Sequence, residues 1–263
     1  MDAERVRVTI AEHVATVTLT RPEKHNALDP AMFAALTEAA RELRHAPGVR
    51  VVILHGEGKS FCSGLDVASF ADLDGGIDLA RQDGERANGA QRLCTDWIDL
   101  PVPVIAAVHG NCFGGGLQIA LGADVRIAAP DAKLSVREIR WGLVPDMGIT
   151  STLPRLVRID VAKELTFTGR TVSGEEAAAL GLVTRTSEDP LAAAQALARE
   201  IAARSPDAVQ AAKRLFDTAW NAPVAEGLAL ETELQLSLIG GANQMAAVTS
   251  GPDPDPGVFT DAR

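Results

Sequence analysis

Cysteine is scarce in this chain: Cys62, Cys94 and Cys112 stand far apart, odd in number and without a CxxC pair. That spacing speaks against a disulfide framework or a zinc cluster and for a reducing compartment. No apolar run approaches the roughly 20 residues that a membrane-spanning helix needs. The opening stretch MDAERVRVTI is charged and alternating, unlike a signal or transit sequence. Cytoplasm is the expected location, with no membrane partner. Basic residues are outnumbered, 25 Lys and Arg against 35 Asp and Glu, for a formal net charge of −10. Nucleic acid is therefore not an expected partner. An anionic small molecule stays compatible, because local amides and a few basic side chains suffice to hold one.

Familiar catalytic signatures are missing as well. The histidines His13, His25, His45, His55 and His109 lack HExxH spacing, no GxSxG elbow occurs, and metal catalysis has no positive signal. Gly58-Lys59-Ser60 looks like the end of a phosphate loop, but Ile53 occupies the position where that loop needs glycine. Gly114-Gly115-Gly116 is not a dinucleotide fingerprint, since Ile119 stands where its last glycine belongs. Lys213 and Arg214 fall on an expected helix, where a solvated face suits them better than a phosphate contact.

What is present describes an α/β protein. With 46% hydrophobic and 23% charged residues, the 263-residue chain has ample material for a core. Val6, Val8 and Ile10 alternate with polar residues, and Val14–Leu19 is rich in β-branched ones, so a hairpin is expected with its turn at Ala11-Glu12-His13. Asp29-Pro30 caps a helix to about His45 that carries Met32, Phe33, Leu36, Ala40 and Leu43 on one face. Val51–Leu54 and Val104–Val108 read as strands buried on both faces, and Asp124–Ala128 as a third. Strands alternating with helices predict βα units and a mainly parallel sheet, with ligands near the strand ends. Residues 67–89, acidic and dotted with glycine, read as a mobile lid or loop. From about residue 190 an Ala- and Leu-rich block forms a helical subdomain. The tail from Gly251 to Gly257, with alternating proline, is expected to be loose.

Candidate chemistry concentrates between His109 and Gly148. The triple glycine follows an apolar strand and opens a short apolar helix, so backbone N–H groups are left to face an anion. Glu138 and Asp146 are the close acidic pair. Trp141, Leu143, Val144, Pro145 and Met147 stand around them in sequence, and such company raises a carboxyl pKa into the range of a usable base. A donor nest beside carboxylates suits an enolate and a moving proton.

Four stretches resemble the crotonase superfamily, the enoyl-CoA hydratases and isomerases. They are Arg21-Pro22-Glu23-Lys24-His25-Asn26-Ala27-Leu28, Phe61-Cys62-Ser63-Gly64-Leu65-Asp66, Gly110–Asp124 and Glu138–Gly148. The resemblance implies a spiral of ββα units over residues 1–190 that holds the acyl-CoA site. It further implies a helical trimerisation region at 191–250, ahead of a flexible tail at 251–263, and a homotrimer or hexamer. Coenzyme A enters as part of the substrate, and no separate cofactor or metal is expected. By the same resemblance, the backbone N–H groups of Leu65 and Gly115 form the oxyanion hole, and the Asn26-Ala27 segment meets the CoA adenine through its main chain. Ser63, Gly64, Asp66, Val67, Gly114, Gln118, Trp141 and Pro145 are the further substrate-binding candidates, with Glu138 and Asp146 catalytic.

The catalytic pattern departs from a hydratase, which has glutamate where this chain has Gln118. An amide cannot exchange a proton. Asp146 stands where dienoyl-CoA isomerases place a second acid, although those enzymes carry aspartate at the Gln118 position. Double-bond migration through an enolate is the expected reaction, with Gln118 orienting substrate or water. Hydration, thioester hydrolysis and non-catalytic acyl-CoA binding are the alternatives.

Overall fold

The computed structural model describes residues 4–66, 68, 79–81, 83–251 and 255–262. Most of the expected 67–89 lid, Val67 included, lies outside the described residues.

Strands β1 (Val6–Ala11) and β2 (Val14–Leu19) pair antiparallel. Glu12 and His13 between them both have positive φ, as the tight two-residue hairpin turn requires. Asp29 caps α1 (Pro30–Leu43) by accepting from the Met32 N–H, and the helix buries Met32, Leu36, Ala40 and Leu43. Strand β3 (Val51–Gly56) follows, then α2 (Gly89–Ile98), β4 (Val104–Val108), β5 (Asn111–Phe113), α3 (Gly115–Leu121), β6 (Val125–Ala128) and β7 (Lys133–Ser135). A 3-10 turn at Glu138–Trp141 leads to α4 (Ile149–Thr152), α5 (Ile159–Thr168), β8 (Val172–Ser173), α6 (Gly174–Leu180) and β9 (Arg185–Thr186). Ser173 caps α6 by accepting from the Glu176 N–H, and the Glu176 side chain pairs with Arg170.

The main sheet has the order β1-β2-β3-β4-β6-β9 and is parallel from β2 onward; β5, β7 and β8 form a second, small sheet. Register places Ile53 beside Ile105 and Leu54 beside Ala106. Side chains alternate across a strand, so the apolar runs divide between two faces. Val52, Leu54, Val104, Ala106 and Val108 join the core with α1, α2 and α3. Val51, Ile53, Ile105, Ala107 and Ile127 face Ala194, Ala198 and Ala202 of α7 (Pro190–Ala202).

That contact moves the expected boundary at residue 190. Helix α7 closes the second face of the sheet, because its small alanines let it lie close. The helices beyond it are α8 (Pro206–Ala219), α9 (Val224–Leu238) and α10 (Ala242–Ser250), all within the stretch expected to be helical. The Lys213 side chain, on α8, is shielded against Asp124 at 2.6 Å and departs from the expected solvated face, whereas Arg214 pairs with Glu233 at 3.0 Å on an exposed face, as expected. Residues 255–262 also differ from a loose tail. Pro256–Val258 make a 3-10 turn, Phe259 is buried, and the buried guanidinium of Arg50 donates to the carbonyls of Pro256 and Phe259. An arginine in that position needs acceptors, and the tail supplies them. Among the described residues no helix is long and apolar enough to cross a membrane.

Candidate active site

The loop after β3 returns to the segment after β2 and forms a parallel bridge between Leu28 and Leu65. Leu28 N–H donates to the Gly64 carbonyl, and Asp66 N–H donates to the Leu28 carbonyl. The Leu65 N–H is thereby turned away from Leu28 and meets no acceptor among the described residues. An ion-pair chain holds this loop: Arg21 reaches Asp66 at 2.8 Å and Asp29 at 3.5 Å, and Arg5 reaches Asp29 at 2.9 Å. Partial burial works against ionising Asp66, but the bond and charge of Arg21 outweigh it and hold the carboxyl below its ordinary value.

On the facing side, Gly114 N–H donates to the Ser135 carbonyl, which ties the glycine run to β7. Gly114 has φ +52°, and a Cβ there would lie 3.3 Å from Oε1 of Glu138. Only glycine accommodates both the backbone conformation and the carboxylate beside it. Gly115 starts α3, so its N–H has no partner in the helix, and it has none elsewhere among the described residues. The Gly64 loop runs close by: a Cβ at Gly64 would lie 3.6 Å from the Gly115 nitrogen. Two unpartnered N–H groups thus stand on neighbouring backbone segments, one of them a residue away from the glycine packed on the glutamate.

Glu138 Oε1 accepts from Nε2 of Gln118 at 2.7 Å, while Oε2 is buried and has no partner. Burial raises the carboxyl above its ordinary value, the bond from Gln118 opposes this, and the charge of Asp146 adds to the rise. Asp146 itself reaches solvent, yet the wall around it strips enough water to raise its pKa as well. Gln118 is 1% exposed, and its Oε1 accepts from the Met147 N–H at 2.8 Å. His55 is no substitute as the base. It stacks on His109 with centroids 5.1 Å apart, and burial, then the charge of His109, pushes it down to about 4.

The remaining candidates fall in different places. Asn26 is fully buried and uses its side chain to staple the loop, donating to the carbonyls of Glu57 and Ser60 and accepting from the Arg21 N–H. Ala27 has its N–H on the Lys24 carbonyl and its own carbonyl on Arg21. The Asn26 side chain and N–H and both main-chain groups of Ala27 are thus engaged within the loop. Ser63 Oγ donates to the Lys24 carbonyl. Pro145 is half-buried. Trp141 is 56% and Val144 72% exposed, and Leu143 is exposed too; of the apolar residues expected around the acids, Met147 is the buried one. Burial against the glycine run and Gln118, not a closed apolar box, is what desolvates Glu138 in the single chain. Arg21 and the Met147 N–H carry parts of the site that sequence reading did not assign. Arg21 stood in the recognisable segment with no signal for its two distant acids. A main-chain donor such as Met147 N–H leaves no trace in residue type.

A cleft of about 1270 Å³ lies elsewhere, among α2, α4 and the C-terminal helices, lined by both signs of charge, including Arg86, Asp99, Lys213 and Asp217. None of the candidate catalytic residues lines it. Among the described residues no group of three or more His, Cys, Asp or Glu is placed to hold a metal.

Amides without acceptors beside a desolvated glutamate suit a reaction in which negative charge appears on an oxygen as a proton leaves carbon. Proteins of similar sequence bear names consistent with that chemistry. The chain is 39% identical over 223 residues to YngF of Bacillus subtilis, named as an enoyl-CoA hydratase/isomerase, covering 84% of each chain. It is 37% identical to the mitochondrial Delta(3,5)-Delta(2,4)-dienoyl-CoA isomerase of Mus musculus, over 80% of this chain and 68% of that one. A solved structure from Thermobifida fusca YX, described as an enoyl-CoA hydratase in complex with CoA, superposes with a TM-score of 0.78 at 32% identity, covering 89% of this chain and 92% of that one. Residues 9–249 match the family model for enoyl-CoA hydratase/isomerase, and with the fold and the amide pair in place, the chain is a member of the enoyl-CoA hydratase/isomerase family.

Proposed function

We propose that this protein is an isomerase that moves a carbon–carbon double bond in an enoyl- or dienoyl-CoA thioester. The carrying observation is the carboxyl of Glu138 packed against Gly114, one residue from the unpartnered N–H of Gly115. A thioester oxygen held by the N–H groups of Leu65 and Gly115 would gain charge as a proton leaves carbon. Preorganised donors of this kind are worth about 3 kcal/mol each. One member of the Glu138–Asp146 pair takes the proton and the other returns one to a different carbon, so the net change is a shifted double bond. The like charge of Asp146 favours the state in which the pair keeps one proton, which this shuttle needs. Gln118 has no proton to exchange, so a second acid is missing where hydration would use it. The CoA complex of the Thermobifida relative and the name of the mouse relative support the substrate class and the reaction.

No separate cofactor enters this chemistry. Self-association as a homotrimer or hexamer fits the apolar side chains that the C-terminal helices leave exposed, among them Phe216, Trp220, Leu228, Leu236 and Ile239. Three free, buried cysteines fit a reducing compartment such as cytoplasm. The deciding experiment assays 2-enoyl-, 3-enoyl- and 3,5-dienoyl-CoA in parallel with wild type, Glu138→Gln and Asp146→Asn. Double-bond migration lost in both variants is the expected result. Fast hydration by the wild type, indifferent to Asp146→Asn, would show a hydratase instead. Free CoA released at comparable rates would mean a thioesterase, and tight binding without turnover a carrier.

A further inference from the structure

We propose that Gln118 is a positioning residue that dictates which oxygen of Glu138 handles the proton. The chain of contacts runs one way. The Met147 N–H is a donor only, so the group that meets it at 2.8 Å must be the carbonyl oxygen of the Gln118 amide. The other end of that amide is then NH2, also a donor only, and it meets Oε1 of Glu138 at 2.7 Å. That N–H stabilises negative charge on Oε1 in the ionised form. A proton taken from substrate is therefore better placed on Oε2, the oxygen without a partner.

A second consequence concerns Gln118 itself. Its oxygen and one N–H are spent inside the protein, and the residue is 1% exposed. It holds Glu138 and the turn after Asp146 in fixed register. The assignment rests on the proton-transfer role proposed for Glu138, which it refines by naming the reactive atom.

The surroundings keep the reading simple. The charge acting on the Glu138 carboxyl is Asp146, from the turn before α4. Helix α3 brings only neutral residues, Gly115–Leu121. The guanidinium of Arg137 is turned over the Phe113 ring at 3.5 Å, and Arg140 follows it on the same turn. Helix α5, packed against that turn, carries Asp160, Lys163 and Glu164, with Asp160 held by Arg158 and Glu164 by Arg170.

The test uses the full chain labelled at glutamate carboxyl carbons, with Glu138 identified by the resonance that Glu138→Gln removes. Gln118→Leu deletes the donor to Oε1, which favours the ionised form, so the Glu138 titration should move to higher pH. The acid limb of kcat should move with it, and kcat should fall at least about tenfold while KM changes little. Gln118→Glu keeps an acceptor for Met147 but sets a second acid against Oε1; Glu138 should then titrate in two coupled steps. If Gln118→Leu folds and leaves both the titration and kcat at wild-type values, the positioning role is wrong. If Gln118→Leu does not fold, a single unshifted Glu138 titration in Gln118→Glu overturns it instead. A wild type that moves no double bond, with variants that still shift the Glu138 titration, would sink the isomerase reading and leave the positioning role standing.

Discussion

A methyl group on Gly64 would lie 3.6 Å from the amide nitrogen of Gly115 and 2.7 Å from the carbonyl oxygen of Phe113. Two loops separated by fifty residues of sequence thus meet with no room for a side chain, beside the open amides of Leu65 and Gly115. Gly64 also has φ +87°, a conformation that alanine adopts only with strain. Gly64→Ala must push the Leu65 loop away from α3 and spoil the spacing of the two donors. The expected outcome is a loss of about 100-fold or more in kcat, the cost of one oxyanion donor. Stability should fall by a further 1–3 kcal/mol or so from strain. Kinetics on the enoyl-CoA series and a thermal melt check both. A variant that unfolds easily but keeps its kcat when folded would separate Gly64 from the amide pair.

The ion pair between Arg21 and Asp66 acts on the same loop from behind. Both side chains are largely shielded from water, at 12% and 15% exposure. Arg21→Met leaves Asp66 and Asp29 short of a partner in a poorly solvated place. A loss of about 2–4 kcal/mol is expected, toward the upper end for breaking a shielded pair. Both aspartates have folded pKa values below their ordinary ones. Their contribution to stability is therefore present above the ordinary carboxylate pKa near 4 and disappears as pH falls through the lower folded values. Denaturation of Arg21→Met and wild type should accordingly differ strongly at pH 7 and converge in acid. A difference independent of pH would remove the charge argument.

Much of the sheet could be read directly, because strands buried on both faces leave unbroken β-branched runs such as Val51–Leu54 and Val104–Val108. The cap at Asp29-Pro30 was equally plain, and the same pairing of a polar cap with proline opens α7 at Asp189-Pro190 and α8 at Ser205-Pro206. The harder features depend on contacts distant in sequence. Whether α7 joins the core or the C-terminal helices is decided by which face its alanines meet, and α8 also carries alanines near its start. The fate of the tail depends on Arg50, some two hundred residues earlier. At the site, glycines and acids announce themselves by type and order. The hydrogen-bond direction through Gln118 does not, since it is fixed by a main-chain donor.

Helix α7 offers a check on the boundary. Ala198 has no exposed surface and sits against the strand face formed by Ile53, Ile105 and Ile127. Ala198→Leu adds three carbons to a filled layer and should cost about 1–3 kcal/mol by overpacking. If residues from 191 onward were an independent unit, the melting of the core would be indifferent to this change. A single cooperative transition lowered as a whole is expected in calorimetry.

Glu138 pits activity against stability. Its folded carboxyl lies above its ordinary value, mainly through burial and further through Asp146, with the Gln118 bond opposing. A carboxyl raised in this way destabilises the native state once pH exceeds its ordinary pKa of about 4.5, because folding then strips water from a charge. Glu138→Gln removes that charge, keeps an oxygen for Gln118, and should melt about 2–4 °C higher at pH 8, equivalent to roughly 1 kcal/mol for a chain of this size. Near pH 4, where the wild-type carboxyl is already neutral, the gain should vanish. The same substitution should lower kcat by a factor of about 100 to 10,000, the usual worth of a general base. Asp146→Asn acts in the opposite sense on the surviving acid: without the neighbouring charge Glu138 ionises more readily, and the acid limb of its titration moves to lower pH. Measuring melting temperature against pH for the three proteins decides the matter. A Glu138→Gln protein less stable than wild type at pH 8 would mean that its carboxylate is compensated in the fold and is not held in reserve for substrate.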